Sequence, residues 1–208
     1  SKLDKVIAIS HSNTINVEDL GGVEPYQIDL TSESEVNKFV IKIKKKLSSV
    51  VLIHAAVASA DNLAVQYDTN DWNKSLSLNL NSNFFLTRAL LNTMIGDRWG
   101  RVVHISSIAG MKGMPGTIAY STTKTGLLGM SKVLANEYAR FGITSNVLVL
   151  GYFNTGLIDT LSEPVRKKIL GSIPSKKLGS PSNIVNAIDF LIKSDYVNGS
   201  TIHIDGGI

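Results

Sequence analysis

The sequence contains no cysteine and no long hydrophobic run, and aromatic residues make up only 7% of it. Without cysteine, the 208 residues form neither a disulfide framework nor a thiolate metal site. The longest apolar stretch, residues 50–58, is too short to cross a bilayer. No signal peptide leads the chain. We therefore expect a cytoplasmic protein with no membrane partner.

The excess of positive over negative charge is also small. Lysine and arginine number 21 against 17 acidic residues, for a formal charge of +4. This small excess suits an acidic small-molecule ligand or an acidic protein partner. Nucleic-acid binding needs a basic patch with aromatics beside it, whereas the densest basic run, Ile41–Leu47, fits the solvated face of a surface helix. We expect no nucleic-acid partner, and no histidine–carboxylate spacing indicates a metal site.

Short apolar runs alternate with helical patterns along most of the chain. The predicted strands are Val6–Ser10, Tyr26–Asp29, Val50–Ala55, Val102–Ser106, Asn146–Leu150 and Thr201–Ile204. The predicted helices are Ser34–Leu47, Asp71–Ile95, Ala119–Arg140 and Pro181–Ile192. Most of the strands are continuously apolar, which is typical of strands covered on both faces. The pattern predicts one α/β domain, a doubly wound parallel sheet between two layers of helices.

Polar residues follow several of these strands. His11, Asp29 and Ser107 all stand at or just past a strand's carboxyl end. Dinucleotides bind parallel sheets at this edge. The edge is therefore the predicted site.

The segment Ala119–Thr144 begins with a phenol and an amine one helical turn apart. Residues i and i+4 share a helix face, so Tyr120 and Lys124 can point into one cleft. An ammonium beside a phenol favours the phenolate, so we expect Lys124 to lower the pKa of Tyr120. Such a tyrosine can protonate the alkoxide formed when hydride reaches a ketone. Ser107 ends a strand thirteen residues earlier, where its hydroxyl can orient the substrate oxygen.

Several motifs in order resemble the short-chain dehydrogenase/reductase family. They are DNL at Asp61–Leu63, the stretch in which Asn79 follows Trp72 by seven residues, GRVVHISSIAG with Ser107, YSTTK with Tyr120 and Lys124, and the segment from Gly142 past Gly151. The resemblance covers nearly the whole chain and implies a Rossmann-like three-layer αβα fold. It also implies that Tyr120 is the general acid/base, that Ser107 holds the carbonyl, that Lys124 bonds the nicotinamide ribose, and that Asn79 supports a proton-relay water.

The same resemblance implies a set of cofactor-binding residues. These are His11, Ser12, Asp29, Leu30, His54, Ala55, Ala56, Tyr120, Lys124, Gly151, Phe153 and Thr155. The end of the first predicted strand carries no carboxylate to bond a ribose 2′-hydroxyl, while His11 and Ser12 can donate to a 2′-phosphate. NADP(H) is therefore favoured over NAD(H). His54 is equally compatible with cofactor contact and with packing, whereas His104 and His203 are interpreted as core histidines.

The sequence departs from the family's pattern at three places. The family's first strand and glycine-rich loop are not found, and Val6–Ser10 fits the second strand better. We therefore expect an N-terminal segment whose strand lies between Val6–Ser10 and Val50–Ala55. His54–Val57 stands where the family has NNAG, and Leu150 precedes Gly151 where the family has proline.

The resemblance implies an NADP(H)-dependent reduction of a ketone to a secondary alcohol. The chain is most similar to the 3-oxoacyl-acyl-carrier-protein reductase branch, which docks an acidic carrier protein on basic surface residues. Arg98 stands at one such position, and the other falls on Phe141, with Arg140 beside it. A ketoreductase of a sugar, steroid or secondary metabolite remains an alternative, as does a catalytically silent binding or scaffold protein. The cluster Phe84–Leu86, with Leu90 and Leu91, is either core or the interface of a homodimer or homotetramer, since the resemblance implies that this helix pairs with its twofold mate.

Overall fold

The computed structural model describes residues 5–11, 21–155, 158 and 162–208. Its strands are β1 (Val6–Ser10), β2 (Val23–Gln27), β3 (Val50–His54), β4 (Gly100–Ser107), β5 (Ile143–Leu150) and β6 (Thr201–Ile204). All of the predicted strands are present. The second begins and ends earlier than Tyr26–Asp29, because the carboxylate of Asp29 accepts hydrogen bonds from the backbone and hydroxyl of Thr31 and so closes a turn.

The helices are α1 (Glu33–Ile43), α2 (Thr69–Leu76), α3 (Ser82–Asp97), α4 (Ile108–Lys112), α5 (Ile118–Tyr138), α6 (Glu163–Ser172) and α7 (Pro181–Lys193). Side chains cap several of them: the carboxylate of Asp68 accepts from the amides of Asn70 and Asp71 at the start of α2. The sequence did not predict α4 or α6. The predicted helix Asp71–Ile95 is α2 and α3 joined by a π-helical turn, Ser77–Asn81.

The strands form two parallel sheets. β1 pairs with β2, and β3 to β6 pair in chain order. Within the described residues, β1 and β3 each pair along one edge only. We expected a further strand between them, and that expectation stays a prediction. β3 also leaves Ile53 38% exposed.

Helices cover both faces of the four-stranded sheet. Successive strand residues point to opposite faces, and accordingly Val102 packs with α1 and α3 while Val103 packs with α7. Nearly every residue of β4 and β5 is buried as a result. This confirms the prediction made from their continuous apolar runs. No helix in the described part of the chain is long and apolar enough to span a bilayer.

Candidate active site

Ser107 lies at the carboxyl end of β4 and caps α4. Its hydroxyl accepts a hydrogen bond from the amide of Ala109 at 3.2 Å. In the parallel register Ser107 stands beside Leu150, the last residue of β5. The chain from Gly151 to Thr155 therefore leaves the sheet at the same edge as the serine.

The first turns of α5 are fastened to α4. The hydroxyl of Ser121 donates to the carbonyl of Ala109 at 2.9 Å, and that of Thr125 donates to the carbonyl of Gly110 at 2.6 Å. Gly110 permits this close contact, since a Cβ there would lie 3.0 Å from the Cβ of Lys124. The α4–α5 contact thus fixes how α5 presents its first turns to Ser107.

The structure brings Tyr120, Lys124 and Ser107 together, as expected. Nζ of Lys124 lies 5.6 Å from the ring centroid of Tyr120, and the side chain of Ser107 lies close enough to the Tyr120 hydroxyl to lower its pKa. The ammonium donates to the carbonyl of Ile105 at 2.7 Å. A phenol, a hydroxyl and an amine therefore converge at the carboxyl edge of the sheet.

The expected lowering of the Tyr120 pKa by Lys124 is wrong for this structure. Burial raises the pKa of Tyr120 above its usual value, the side chain of Ser107 offsets part of this rise, and the charge of Asp61 adds to it. The ammonium of Lys124 donates to the Ile105 carbonyl and lies over the Tyr120 ring. Burial also lowers the pKa of Lys124 to about 8. At neutral pH the phenol therefore carries its proton.

Asn79 lies in the π-helical turn and is fully buried. Its Oδ1 accepts from the amide of Ala58 at 2.7 Å, and its Nδ2 donates to the carbonyl of Ala58 at 2.8 Å. Nδ2 also approaches the hydroxyl of Thr123 at 3.3 Å. Asn79 thus ties the loop after β3 to α5, next to Lys124. Nothing in the sequence singled out Ala58 or Thr123, because their role depends on contacts between distant segments.

The expected cofactor residues lie along the same edge of the two sheets. His11 follows β1 and is exposed, and Asp29 and Leu30 follow β2. Hydrogen bonds from Thr31 lower the pKa of Asp29, with a smaller contribution from the charge of His11, which places these two residues near each other. Ser12 lies outside the described residues.

The remaining expected residues follow β3 and β5. Ala55 and Ala56 are exposed just past β3. Gly151 contacts Asp205 so closely that a Cβ would lie 2.7 Å from its Cα. Phe153 packs its ring on Gly179, and Thr155 is exposed.

The structure places the other histidines as follows. The ring of His54 is only 7% exposed and bonds Thr87 on α3 through Nε2, which favours packing, while its contact with a cofactor stays a prediction. His203 was expected in the core, but it is exposed and pairs with Asp205. His104 is fully buried and hydrogen-bonded, as expected of a core histidine.

The site's chemistry fits a nicotinamide cofactor. Lys124 is 4% exposed, and its ammonium, which has three donors, bonds the carbonyl of Ile105. A ribose would supply hydroxyl acceptors to such an ammonium. The residues that would hold the cofactor are Tyr120, Lys124 and the backbone at Ala55–Ala56 and Gly151.

Comparison with known proteins agrees with this geometry. A family model described as "Enoyl-(Acyl carrier protein) reductase" matches residues 7–208. The 3-oxoacyl-[acyl-carrier-protein] reductase FabG of Rickettsia felis is 35% identical over 211 residues, covering 100% of this chain and 88% of that protein. FabG of Aquifex aeolicus is 34% identical over 207 residues, covering 98% of this chain and 82% of that protein.

A solved structure is also similar. It is described as a putative gluconate dehydrogenase from Agrobacterium tumefaciens, and it matches with a TM-score of 0.89 and 26% identity over 98% of this chain and 85% of that one. A parallel α/β sheet with a serine, tyrosine and lysine at its carboxyl edge defines an oxidoreductase that uses a nicotinamide cofactor. The chain belongs to the short-chain dehydrogenase/reductase family and is similar to its 3-oxoacyl-acyl-carrier-protein reductases.

Proposed function

We propose that this protein reduces the ketone of a 3-oxoacyl thioester to a secondary alcohol with NADPH. The observation that carries the proposal is the grouping of the half-buried Tyr120 and Ser107 with the buried Lys124 at the carboxyl edge of the sheet. The names of the similar FabG proteins support the substrate class.

Each protein group has a separate task. A bound nicotinamide supplies a hydride to the carbonyl carbon. The hydroxyl of Ser107 donates to the carbonyl oxygen and orients it. Tyr120 is protonated at neutral pH, burial raises its pKa further, and it gives its proton to that oxygen. Lys124 holds the ribose, and Asn79 keeps α5 and the loop after β3 in register.

The proposal of NADPH rather than NADH rests on the end of β1. Among the described residues there, His11 is polar and no carboxylate is present to repel a 2′-phosphate. The net charge of +4 is compatible with the more anionic cofactor.

Replacing Tyr120 with phenylalanine tests the proposed acid. Tyr120→Phe is expected to lower kcat for an acetoacetyl thioester by at least about 100-fold, because general acid catalysis of this kind contributes roughly 10²–10⁴-fold. NADPH binding, followed by its fluorescence, is expected to change less than about threefold, about 0.7 kcal/mol. Tyr196→Phe is the matched control, since Tyr196 is 99% exposed.

Assays with two substrates distinguish reduction of a ketone from reduction of a carbon–carbon double bond. Because the matching family model is described as an enoyl reductase, the wild type is also assayed with the corresponding 2-enoyl thioester. Reduction of the enoyl thioester in preference to the ketone would overturn the proposed substrate. Turnover in Tyr120→Phe with an ordinary pH profile would overturn the proposed acid.

We further propose that the thioester arrives on an acidic carrier protein that docks on α6 and the loop after it. This surface, the basic lid, consists of Arg166, Lys167, Lys168, Lys176 and Lys177. Backbone hydrogen bonds from Gly179 to Tyr152 and from Ser175 to Gly206 hold the lid at the carboxyl edge of the sheet. Positive charge therefore stands at the same edge as the site, where it complements an acidic partner.

Arg98 and Arg140 form a second basic corner. Arg98 donates to the carbonyl of Arg140 at 3.3 Å, and both side chains are exposed. They lie at the opposite edge of the sheet, since Arg98 precedes β4 and Ser107 ends it, and a strand of this length spans roughly 25 Å. A carrier docked at this corner would serve the site of another copy more readily than the site of the same chain.

The outer face of α3 and α5 is the proposed interface of a homodimer or homotetramer. It forms a groove of about 430 Å³ that includes Phe84, Gly129, Val133 and Glu137. Phe84 and Val133 are 45% and 55% exposed. An exposed apolar groove rimmed by charges is typical of a subunit contact.

A further inference from the structure

A pair of histidines lies in the core beneath the proposed site. His54 of β3 and His104 of β4 are partners in the parallel register. Their rings stack with centroids 5.1 Å apart and planes inclined by 13°. Both are buried, and the hydrogen-bond partners given for them are uncharged. The proposed chemistry uses neither ring.

The hydrogen bonds of His104 have a defined direction. Nδ2 of Asn83 donates to the backbone carbonyl of Asn79 at 3.1 Å, so the Oδ1 of Asn83 faces His104 as an acceptor. Nδ1 of His104 must therefore carry the proton and donate to that oxygen, at 3.4 Å. Its Nε2 then accepts from Ser145 at 3.3 Å, whose hydroxyl in turn accepts from Ser131 at 3.0 Å. This chain of donors runs from α5 to the carbonyl of Asn79.

His54 reinforces the same helix one turn further along. Its Nε2 lies 2.9 Å from the hydroxyl of Thr87, four residues after Asn83 on α3. The two stacked rings therefore hold two successive turns of α3 against β3 and β4. The first of these turns follows directly on the π-helical turn that contains Asn79.

We propose that His54 and His104 are positioning residues for catalysis: through Thr87 and Asn83 they fix the π-helical turn that places Asn79 between Ala58 and Thr123, beside Lys124. The catalytic part of this proposal rests on the proposed function. A π-helical turn departs from the regular i to i−4 pairing, and the side chain of Asn83 donates to the carbonyl of Asn79 in this turn. Asn83 in turn is oriented by His104.

The pair fills this role only while it is neutral. Burial lowers the pKa of both rings. For His54 a charge on His104 and then the ammonium of Lys124 add to this effect, and for His104 the ammonium of Lys124 on α5 does so. A second proton on His104 would convert Nε2 to a donor and turn the Ser145 hydroxyl away. A doubly protonated ring would also stand close to the Lys124 charge. Both effects disfavour the imidazolium across the neutral pH range.

Three substitutions of His104 separate its two hydrogen bonds. His104→Asn places an amide donor where Nδ1 stood and keeps the bond to Asn83. His104→Gln places its amide where Nε2 stood and keeps only the bond towards Ser145. His104→Leu removes both at similar volume. Thr87→Val removes the partner of His54 without changing shape.

The expected result is a split between kcat and binding. His104→Gln and His104→Leu are expected to lower kcat roughly 10- to 100-fold, because small misplacements of catalytic groups have effects of this size. NADPH affinity and KM are expected to stay within about twofold, about 0.4 kcal/mol. His104→Asn is expected to restore kcat to within about threefold of the wild type, about 0.7 kcal/mol. Thr87→Val is expected to lower kcat severalfold.

Hydrogen exchange supplies a readout that needs no turnover. The amide of Ala58, bonded to Asn79, and the amides of residues 77–83 are expected to exchange faster in His104→Leu and His104→Gln than in His104→Asn. Those of α7 serve as the internal control. Equal kcat in the Asn and Gln variants, or unchanged exchange at Ala58 in His104→Leu, overturns the positioning role. A wild type that reduces no ketone instead overturns the proposed function, and the exchange comparison still decides the histidine proposal.

Discussion

The buried histidines predict that the protein loses stability on mild acidification. Burial lowers the pKa of His104 from its usual 6.5 to about 4. Between these two values the unfolded chain binds a proton at this residue and the folded chain does not. Protonation therefore favours the unfolded state, and the free energy of unfolding falls as the pH drops from about 7 towards 4. His54 acts in the same direction, because burial holds its pKa well below 6.5.

The size of the effect follows from the two pKa values of His104. Over the whole window the linkage amounts to about 3 kcal/mol, at about 1.4 kcal/mol per pH unit. Between pH 7 and pH 5 alone it is about 2 kcal/mol. For a chain of this length that corresponds to a fall in Tm of roughly 4–8 °C. Glu24 does not contribute to the change in stability between pH 7 and pH 5. Hydrogen bonds, chiefly from Lys5, lower its pKa to about 2, so its stabilisation is lost only below about pH 4.5.

Urea denaturation at pH 7, 6 and 5 measures the effect. The control is His104→Asn, which keeps the donor to Asn83 and removes the titrating ring. The difference in unfolding free energy between wild type and variant is expected to shrink by about 2 kcal/mol from pH 7 to pH 5. A difference that stays constant across this range would show that His104 titrates normally in the folded state, and the argument from its burial would be refuted.

Two further predictions concern surfaces. Replacing both Lys167 and Lys168 by glutamate is expected to raise KM for a carrier-bound 3-oxoacyl substrate about fivefold or more and to weaken the salt dependence of that KM. The KM for a small thioester, measured in a parallel steady-state assay, is expected to stay unchanged. Equal increases of KM for both substrates would contradict docking on this surface. Val133→Glu is expected to reduce the mass measured by light scattering to that of a monomer. Val185→Glu, at an exposed position of α7, is the control and is expected to leave the mass unchanged. A wild type that is itself monomeric would contradict the proposed α3–α5 interface.

The strands and most helices could be predicted because their patterns are local. β4 and β5 are continuous apolar runs since helices cover both faces, and a buried strand needs no other signal. The placement of Ser107, Tyr120 and Lys124 could also be predicted, because the end of a strand fixes Ser107 and a helical spacing of four relates Tyr120 to Lys124. The acidic turn at Asp29 was misjudged as strand, because its turn depends on a side-chain bond to Thr31.

The histidines show where prediction from sequence stops. His54, His104 and His203 all lie in β strands with apolar neighbours, so periodicity treats them alike. Their environments differ because α3 covers the rings of His54 and His104, whereas His203 is exposed and pairs with Asp205. No pattern within either strand indicates that Thr87 and Asn83 would supply the partners, since both come from another segment.

The pKa of Tyr120 illustrates the same limit with a consequence for the reaction. A lysine one helical turn away lowers the pKa of a tyrosine only if its ammonium lies near the phenol oxygen and the two groups are solvated. Here burial dominates, and it acts on both groups in the direction that disfavours charge: the pKa of Tyr120 rises and that of Lys124 falls to about 8. In the proposed reduction, a phenol that keeps its proton at neutral pH is the acid that the ketone requires. The reverse oxidation would need the phenolate, so this proposal predicts that oxidation is favoured only as the pH rises.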